Sequence, residues 1–188
     1  MNRCDWTQDD ELLIAYHDQE WGVPIHDDNK WFEFIVLDAF QAGLSWKTVL
    51  YKRENFRNAF DQFDYQVIAG YDETKVESLM NDVGIIRNRL KIKGTIKNAK
   101  AFLEIQKEYG SFDRYIWSFT DGKTIINNFK TLKELPVKTD LSDNISKDLK
   151  KRGFTFVGST IVYSFLQAAG IINDHIISCD RHRECQML

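Results

Sequence analysis

The chain has 188 residues, of which 43% are hydrophobic and 13% aromatic, and its formal net charge is −3. This length and composition exclude a disordered chain and predict one domain with a core of its own. Three cysteines exclude a disulfide-stabilised scaffold and suit a reducing compartment, and the net acidity argues against a general nucleic-acid binder.

Apolar residues at helical spacing, preceded by capping residues, predict an all-α fold in which residues 1–188 form a single compact helical domain. The first two predicted helices follow Asp9-Asp10 and Asp27-Asp28. The next four extend over Ser45–Arg57, Val67–Gly70, Thr74–Met80 and Asn88–Tyr109. A seventh begins at Ser142-Asp143, and an eighth extends over Val157–Ala169. The predicted stops of the three longer C-terminal helices are Gly110, Gly153 and Gly170. The predicted inward residues of the longest helix are Leu90, Ile96, Ala99 and Leu103.

Only two short segments are candidates for extended structure, Thr124–Ile126 and Phe154–Val157, and residues 121–141 are expected to form an irregular surface connection. The most apolar stretch, Phe154–Ile172, is interrupted by polar residues and predicts a core helix rather than a membrane span. The first ten residues lack the basic flank and apolar run of a signal peptide, so we expect a soluble, cytoplasmic protein.

Charge is unevenly distributed along the chain. The first 40 residues contain two basic and ten acidic side chains, whereas residues 81–100 contain six basic side chains and one acidic side chain. This basic segment is interpreted either as a solvated helix face or as a phosphate-contacting surface. Gly84 favours the second interpretation, because a glycine turn before a helix exposes backbone N–H groups to an anion.

Two Cys–His pairs lie at opposite ends of the sequence. Cys4 and His17 are separated by twelve residues, and His175 and Cys179 by three, a spacing that puts the second pair on one face of a helix. Two thiolates and two imidazoles match a closed tetrahedral Zn²⁺ site. The alternative is four unrelated residues with the thiols simply buried, and His182 and Cys185 are spare candidates for a less regular site.

Several long strings of the sequence match a known family. They are RCDW and IAYHDQEWGVP near the start, QAGLSW at Gln41–Trp46, GIIRNR at Gly84–Arg89, and KKRGFTFVGST and YSFLQAAG in the last third. The chain resembles, essentially from end to end, the bacterial DNA-3-methyladenine glycosylase I family of helix-hairpin-helix base-excision enzymes. The resemblance implies monofunctional hydrolysis of the N-glycosidic bond of 3-methyladenine in double-stranded DNA, after the nucleotide is flipped into a pocket.

The resemblance also implies one structural zinc ion held by Cys4, His17, His175 and Cys179, a clasp that joins the chain ends and leaves Cys185 free. All four ligands come from the protein, so no position stays open for a reactive water. The phosphate-binding loop Gly-x-x-x-x-Gly-Lys-Ser/Thr and the dinucleotide-binding motif are absent from the sequence, so we expect no nucleotide cofactor. We also expect no membrane partner and a monomer as the simplest state.

Aromatic side chains at positions that match the family are the predicted walls of the base pocket: Trp6, Tyr16, Trp21 and Trp46. Electron-rich rings attract a cationic base, and core packing is the alternative for each of them. Asp38 stands where the family has a glutamate and is the predicted catalytic residue, with the capping of a nearby helix as its alternative. Ser164 is a further pocket candidate, unless its hydroxyl is satisfied within its own helix. Leu13 replaces an expected tyrosine, which leaves the base selectivity open.

DNA contacts are expected from two turns. The hairpin at Gly84–Arg89 is predicted to bind phosphates through backbone N–H groups and through Arg87 and Arg89. The turn that contains Gln41, Gly43 and Leu44 is predicted to fill the gap left by the flipped base, and an ordinary interhelix turn is its alternative. Two other functions stay open: a non-catalytic binder of alkylated DNA with an altered pocket, and a zinc-stabilised helical module without a DNA role, against which the basic segment argues.

Overall fold

Eleven α-helices, five short 3₁₀ helices and one pair of two-residue strands make up the computed structural model, which describes residues 1–188. The helices, in chain order, are α1 (Glu11–Gln19), α2 (Asp28–Gln41), α3 (Trp46–Tyr51), α4 (Arg53–Ala59), α5 (Tyr65–Ala69), α6 (Glu73–Asn81), α7 (Arg89–Tyr109), α8 (Phe112–Trp117), α9 (Asp140–Lys151), α10 (Ser159–Ala168) and α11 (Asp180–Glu184). The strands are β1 (Ile125–Ile126) and β2 (Ile172–Asn173). The predicted all-α fold is confirmed, and none of these helices has the length and apolar character needed to cross a membrane.

Side-chain caps fix the starts of several helices, and two of these caps, Asp27 and Ser45, are predicted from the sequence. Asp10 caps α1, Asp27 caps α2, Ser45 caps α3 and Asn88 caps α7, and each accepts a hydrogen bond from a backbone N–H in the first helical turn. Gly110 ends α7 with a φ of +86°, a left-handed conformation that favours glycine. These positions are therefore determined by local sequence.

The third predicted helix, Ser45–Arg57, is two helices in the structure. The backbone at Lys52 has a ψ of 0°, and its N–H bonds to the carbonyl oxygen of Val49 at 3.0 Å, three residues back rather than four. This tighter turn ends α3 and separates it from α4. The helix predicted to begin at Ser142-Asp143 begins earlier in the structure, because a capping box at Thr139 starts α9 at Asp140.

Other differences arise where the sequence signal is short. The helices α8 and α11 have no predicted counterpart, because five or six residues carry too little periodicity to identify a helix. Leu90 is 73% exposed rather than inward, and Ile92 lies in the core instead. Thr124–Ile126 does contain an extended pair, which aligns in parallel with β2, whereas Phe154–Val157 forms no strand.

The helix α2 is the centre of the core. All ten residues from Trp31 to Phe40 are buried, so this helix has almost no solvent face, and α3, α7, α8 and α10 pack around it. Two of the ten are acids. Glu33 is paired with Arg53 at 2.7 Å, whereas Asp38 has no cationic partner. The central helix thus carries an unpaired carboxyl group into the interior.

Candidate active site and metal centre

A cavity of about 440 Å³ opens where α1, α2, α3 and α10 meet. The residues predicted for catalysis and base binding all line it: Trp6, Tyr16, Trp21, Asp38, Trp46 and Ser164. Gln41, from the predicted DNA-contacting turn, lines the same cavity. Residues distant in sequence therefore meet in one cavity, whose size suits a small flat ligand such as a nucleobase.

Four aromatic rings form one wall of this cavity. Trp6 and Trp21 meet edge to face, with ring centroids 5.2 Å apart and planes at 78°. Tyr16 and Trp46 have centroids 5.0 Å apart and planes tilted by 47°, and Trp6 lies 6.3 Å from Tyr16. The wall is thus a continuous π surface, an environment that attracts flat and cationic groups.

Asp38 reaches the cavity from the buried helix α2. It is 2% exposed, neither carboxyl oxygen accepts a hydrogen bond from the protein, and Oδ2 is fully buried. This desolvation raises the pKa of Asp38 well above its ordinary value. The residue lies inside α2 and caps no helix. A carboxyl group in this environment favours a ligand that brings a positive charge or an N–H donor.

Other polar groups around the cavity are only partly engaged. The Nε1 donor of Trp46 is buried without a partner. The hydroxyl of Ser164 donates to the carbonyl oxygen of Thr160, within its own helix, at 3.3 Å. Burial raises the pKa of Tyr16 well above its ordinary value, so its hydroxyl remains protonated at neutral pH.

Sequence reasoning did not identify every residue of the lining. Leu13, where the resemblance suggests a tyrosine, contributes an apolar side chain three residues before Tyr16. The unpredicted lining residues are Gln8, Ser45, Lys47, Gln167 and Ala168. The sequence could have identified Gln167 as a lining residue, because it follows Ser164 by three residues and lies on the same helical face. No local pattern marks Gln8 or Ala168 as facing a cavity.

The turn between α2 and α3 lies beside the cavity. Gly43 has a φ of +81° with open space around it, and Leu44 is 43% exposed. Lys91 of α7 is buried and donates through Nζ to the carbonyl oxygens of Phe40 and Ala42 at 2.8 and 2.7 Å. The turn is therefore fixed at its base and exposed at its apolar tip, as a wedge residue requires.

The hairpin between α6 and α7 differs in detail from the predicted phosphate site. The N–H of Gly84 donates to the carboxylate of Asp82 at 2.7 Å, so it is engaged within the turn. Arg89 pairs with two glutamates of α6, with the closest contact at 2.6 Å. Arg87 is exposed and has no ion-pair partner. Of the two arginines, Arg87 is the one available to an external anion.

Cys4, His17, His175 and Cys179 form a buried cluster whose ligand atoms all lie within 4.8 Å of one another. The Sγ atom of Cys179 is 3.5 Å from both His17 Nε2 and His175 Nδ1, and Cys4 Sγ is 3.7 Å from His175 Nδ1. Zinc bonds of about 2.3 Å to sulfur and 2.1 Å to nitrogen give S···N separations of about 3.6 Å in a tetrahedron. The cluster therefore fits a tetrahedral metal ion. The spacing of His175 and Cys179 predicted a helix, but both residues lie in an irregular segment.

Outer contacts orient both imidazoles of the cluster. His17 Nδ1 contacts Asp18 at 2.8 Å, and His175 Nε2 contacts the carbonyl oxygen of Trp21 at 2.9 Å, so the other nitrogen of each ring faces the cluster. The indole of Trp21 packs 4.5 Å from the His175 ring, and Trp6 packs 5.3 Å from the His17 ring. The cluster thus lies directly behind the aromatic wall of the cavity.

Comparison with known proteins identifies the family. The sequence model for methyladenine glycosylases matches residues 6–182. The chain belongs to the methyladenine glycosylase family. It is 51% identical over 179 residues to DNA-3-methyladenine glycosylase 1 of Escherichia coli (strain K12), covering 95% of this chain and 96% of that protein. The DNA-3-methyladenine glycosylase of Haemophilus influenzae is 46% identical over 177 residues, covering 94% and 96%.

Solved structures of methyladenine glycosylases have the same fold as this family member. A crystal structure of 3-methyladenine DNA glycosylase I matches with a TM-score of 0.93 at 52% identity, covering 95% of this chain and 98% of that chain. A second glycosylase I, solved in complex with 3-methyladenine, matches with a TM-score of 0.93 at 33% identity, covering 96% and 97%. The family resemblance inferred from the sequence strings is confirmed.

Proposed function

We propose that this methyladenine glycosylase family member removes 3-methyladenine from alkylated double-stranded DNA by hydrolysing the N-glycosidic bond. The observation that carries the proposal is a buried carboxyl group, Asp38, without a hydrogen-bond partner in a cavity walled by four aromatic rings. This arrangement suits a flat cation. The names of the Escherichia coli and Haemophilus influenzae relatives support the same activity.

The chemistry of the substrate explains why this cavity is sufficient. Methylation at N3 makes the base a cation, so the base leaves with the electron pair of the glycosidic bond and becomes neutral. A water molecule adds to the sugar carbon and loses a proton. Because the leaving group needs no strong general acid, most of the rate gain comes from binding the flipped cation and positioning water.

Asp38 is proposed as the catalytic residue, and the rings as the base-binding surface. Its carboxylate attracts the cationic base and stabilises positive charge that develops on the sugar. The indoles and phenol of Trp6, Tyr16, Trp21 and Trp46 add cation–π attraction of about 0.5–2 kcal/mol per good contact. Ser164 supplies a hydroxyl at the cavity edge.

DNA binding is proposed for the two turns described above. Leu44, exposed at the tip of a turn that also includes Gln41 and Gly43, fills the space vacated by the flipped base. The hairpin from Gly84 to Arg89 binds the phosphate backbone, with Arg87 as its available cation and Arg89 held by α6. The basic segment thus supports DNA as the partner despite the net negative charge.

Zinc is proposed as the metal of the buried cluster. Cys4, His17, His175 and Cys179 would hold it, and a Cys₂His₂ donor set in tetrahedral arrangement favours Zn²⁺. Four protein ligands leave no open position, so the ion is structural. It supplies a cross-link between the two ends of the chain, and the residues of the cavity act on the substrate.

The test is release of free 3-methyladenine from methylated duplex DNA, measured by chromatography. Wild-type protein is expected to release the base, and Asp38→Asn is expected to abolish release while keeping DNA binding. Asp140→Asn, which changes an exposed acid of α9, is the matched control and retains activity. Binding of alkylated DNA without release by the wild type would instead support a non-catalytic binder, and neither binding nor release would support a module without a DNA role.

A further inference from the structure

A buried carboxylate behind the cavity, that of Asp174, collects three side-chain donors. Asp174 is 1% exposed. Its Oδ1 accepts a hydrogen bond from Asn127 Nδ2 at 2.7 Å, and its Oδ2 accepts from Gln167 Nε2 at 2.7 Å and from the hydroxyl of Tyr163. Burial raises the pKa of Tyr163 above its ordinary range, so the hydroxyl remains a donor. All three side chains therefore donate to the Asp174 carboxyl group.

This acceptor fixes the orientation of the Gln167 amide. A carboxylate attracts the amide N–H and repels the amide oxygen, so Nε2 faces Asp174 and Oε1 points elsewhere. Gln167 lines the base cavity. Its Oε1 accepts no hydrogen bond from the protein and is not among the buried unpaired atoms, so this oxygen is accessible. Gln167 is thus a residue of the cavity lining with an unpaired acceptor that is not fully buried.

The short parallel strand pair explains why Asp174 is held in place. Asn127 follows β1 and Asp174 follows β2, and the N–H of Asn127 donates to the carbonyl oxygen of Asn173 at 3.1 Å. The Asn173 side chain in turn donates to the carbonyl oxygen of His182 at 3.0 Å. The two strands thereby place Asn127 against Asp174, whose other donors come from α10. The network is built from three separate parts of the chain.

We propose that Gln167 is a specificity-determining residue whose Oε1 accepts a hydrogen bond from the exocyclic amine of the flipped base, and that Asp174 is its positioning residue. This inference rests on the proposed function, because it names how the same cavity reads its base. The 6-amino group carries the only N–H donors of 3-methyladenine. An acceptor that reaches the base therefore pairs with this amine, and it disfavours a purine with an oxo group in the same place.

Binding of free bases tests the proposal without requiring catalysis. The probes are 3-methyladenine and 3-methylpurine, which lacks the amino group, and tryptophan fluorescence or calorimetry measures their Kd for wild type and for Gln167→Met. Removing one partner of a buried hydrogen bond changes affinity by roughly tenfold. We expect the preference of the wild type for the amine-bearing base to fall by about that factor in Gln167→Met. An unchanged preference would overturn the proposal.

The positioning role of Asp174 is tested through selectivity rather than stability. In Asp174→Asn, the new amide can offer either its oxygen or its N–H group to Gln167. The Gln167 amide is then free to turn, and its oxygen no longer has to face the cavity. The ratio of 3-methyladenine to 3-methylguanine released from methylated DNA should fall severalfold, whereas a purely structural role would lower both rates together and leave the ratio unchanged. Gln66→Met, at an exposed glutamine without side-chain bonds, is the control. If the wild type releases no base, the proposed function fails, and base binding still decides the role of Gln167.

Discussion

Trp46 Nε1 and Asp38 Oδ2 are both buried in the wall of one cavity, and neither has a hydrogen-bond partner in the protein. An unpaired buried polar atom costs about 1–3 kcal/mol of stability. The fold therefore maintains a donor and an acceptor whose partners are missing. A ligand that offers an acceptor to the indole and a donor or positive charge to the carboxyl group satisfies both at once.

Asp38→Asn is expected to raise the melting temperature at neutral pH while excision is lost. Desolvation raises the pKa of Asp38 in the folded protein well above its value in the unfolded chain. Asparagine carries no charge to desolvate, so we expect a gain of about 1–2 kcal/mol, or roughly 2–8 °C in Tm. Scanning calorimetry beside an excision assay measures both effects.

The stability gap between wild type and Asp38→Asn should depend on pH. Between the unfolded pKa of about 3.9 and the raised folded pKa, the folded wild type binds more protons than the unfolded chain, so its stability falls as pH rises. The gap is therefore widest at neutral and alkaline pH and closes toward about pH 4. A gap that stays constant over this range would contradict an unpaired buried carboxyl group, and Asp140→Asn should show no comparable pH dependence.

Trp46→Phe is expected to weaken base binding at little cost in stability, because it keeps an aromatic ring and removes a donor that has no partner in the free protein. We expect a loss of roughly tenfold in affinity for 3-methyladenine. Trp117→Phe is the contrasting variant, since Trp117 Nε1 donates to the carbonyl oxygen of Ile25 at 3.1 Å. That change should lower Tm and leave base affinity intact, and the reverse pattern would refute both assignments.

Removal of the metal is expected to destabilise both the fold and the base cavity. Chelation, or Cys4→Ser, should eliminate stoichiometric zinc and lower Tm by roughly 10 °C or more, because structural metal sites contribute several kcal/mol. Affinity for 3-methyladenine should fall as well, since Trp6 and Trp21 pack on the ligand histidines. Cys185→Ser should keep the metal, as measured by elemental analysis. Loss of the metal from this variant would mean that Cys185 is a ligand and that the proposed ligand set is wrong.

Lys91→Met is expected to slow excision from DNA about tenfold or more while free-base binding is preserved. The ammonium group holds the carbonyl oxygens of Phe40 and Ala42, and the turn that follows carries Leu44. Without that anchor the proposed wedge loses its fixed position. Single-turnover kinetics measure the effect, and Lys93→Met, which removes an exposed ion pair with Glu73, should leave the rate unchanged.

Arg87→Gln and Arg89→Gln should have unequal effects on DNA affinity. Arg87 is free of ion pairs, so its loss should lower affinity in a sequence-independent way and reduce the salt slope of binding by about 1. Arg89 is held by Glu73 and Glu77, so its loss should affect DNA binding less. Titrations at several salt concentrations distinguish the two, and equal effects would mean that the ion pairs open on DNA.

Local signals allowed much of the fold to be predicted. Asp27 and Ser45 act as caps where the sequence placed them, because a cap depends on residues within one helical turn. The break at Lys52 was missed, since no glycine or proline marks it. For the cavity, the family resemblance identified residues that composition and spacing could not bring together.

Contacts between distant residues could not be predicted in the same way. Lys91 contributes to the basic count of residues 81–100, yet it is buried beneath a turn, and charge counting cannot distinguish it from a hydrated lysine. Gln167 has an amide orientation that depends on Asp174 and, through it, on Asn127. Such pairings depend on tertiary packing, which periodicity does not encode.

The Cys₂His₂ cluster also sets an order of events during synthesis of the chain. Cys4 and His175, whose side chains meet in the cluster, are 171 positions apart. The chain from Cys4 to Cys179 must therefore leave the ribosome before the set of four residues is complete. A nascent chain that ends before Cys179 already contains every proposed base-contacting residue, yet the wall at Trp6 and Trp21 still lacks its support. Base binding should thus arise only after Cys179 has been synthesised and has joined the cluster, so shorter nascent chains should not capture alkylated DNA.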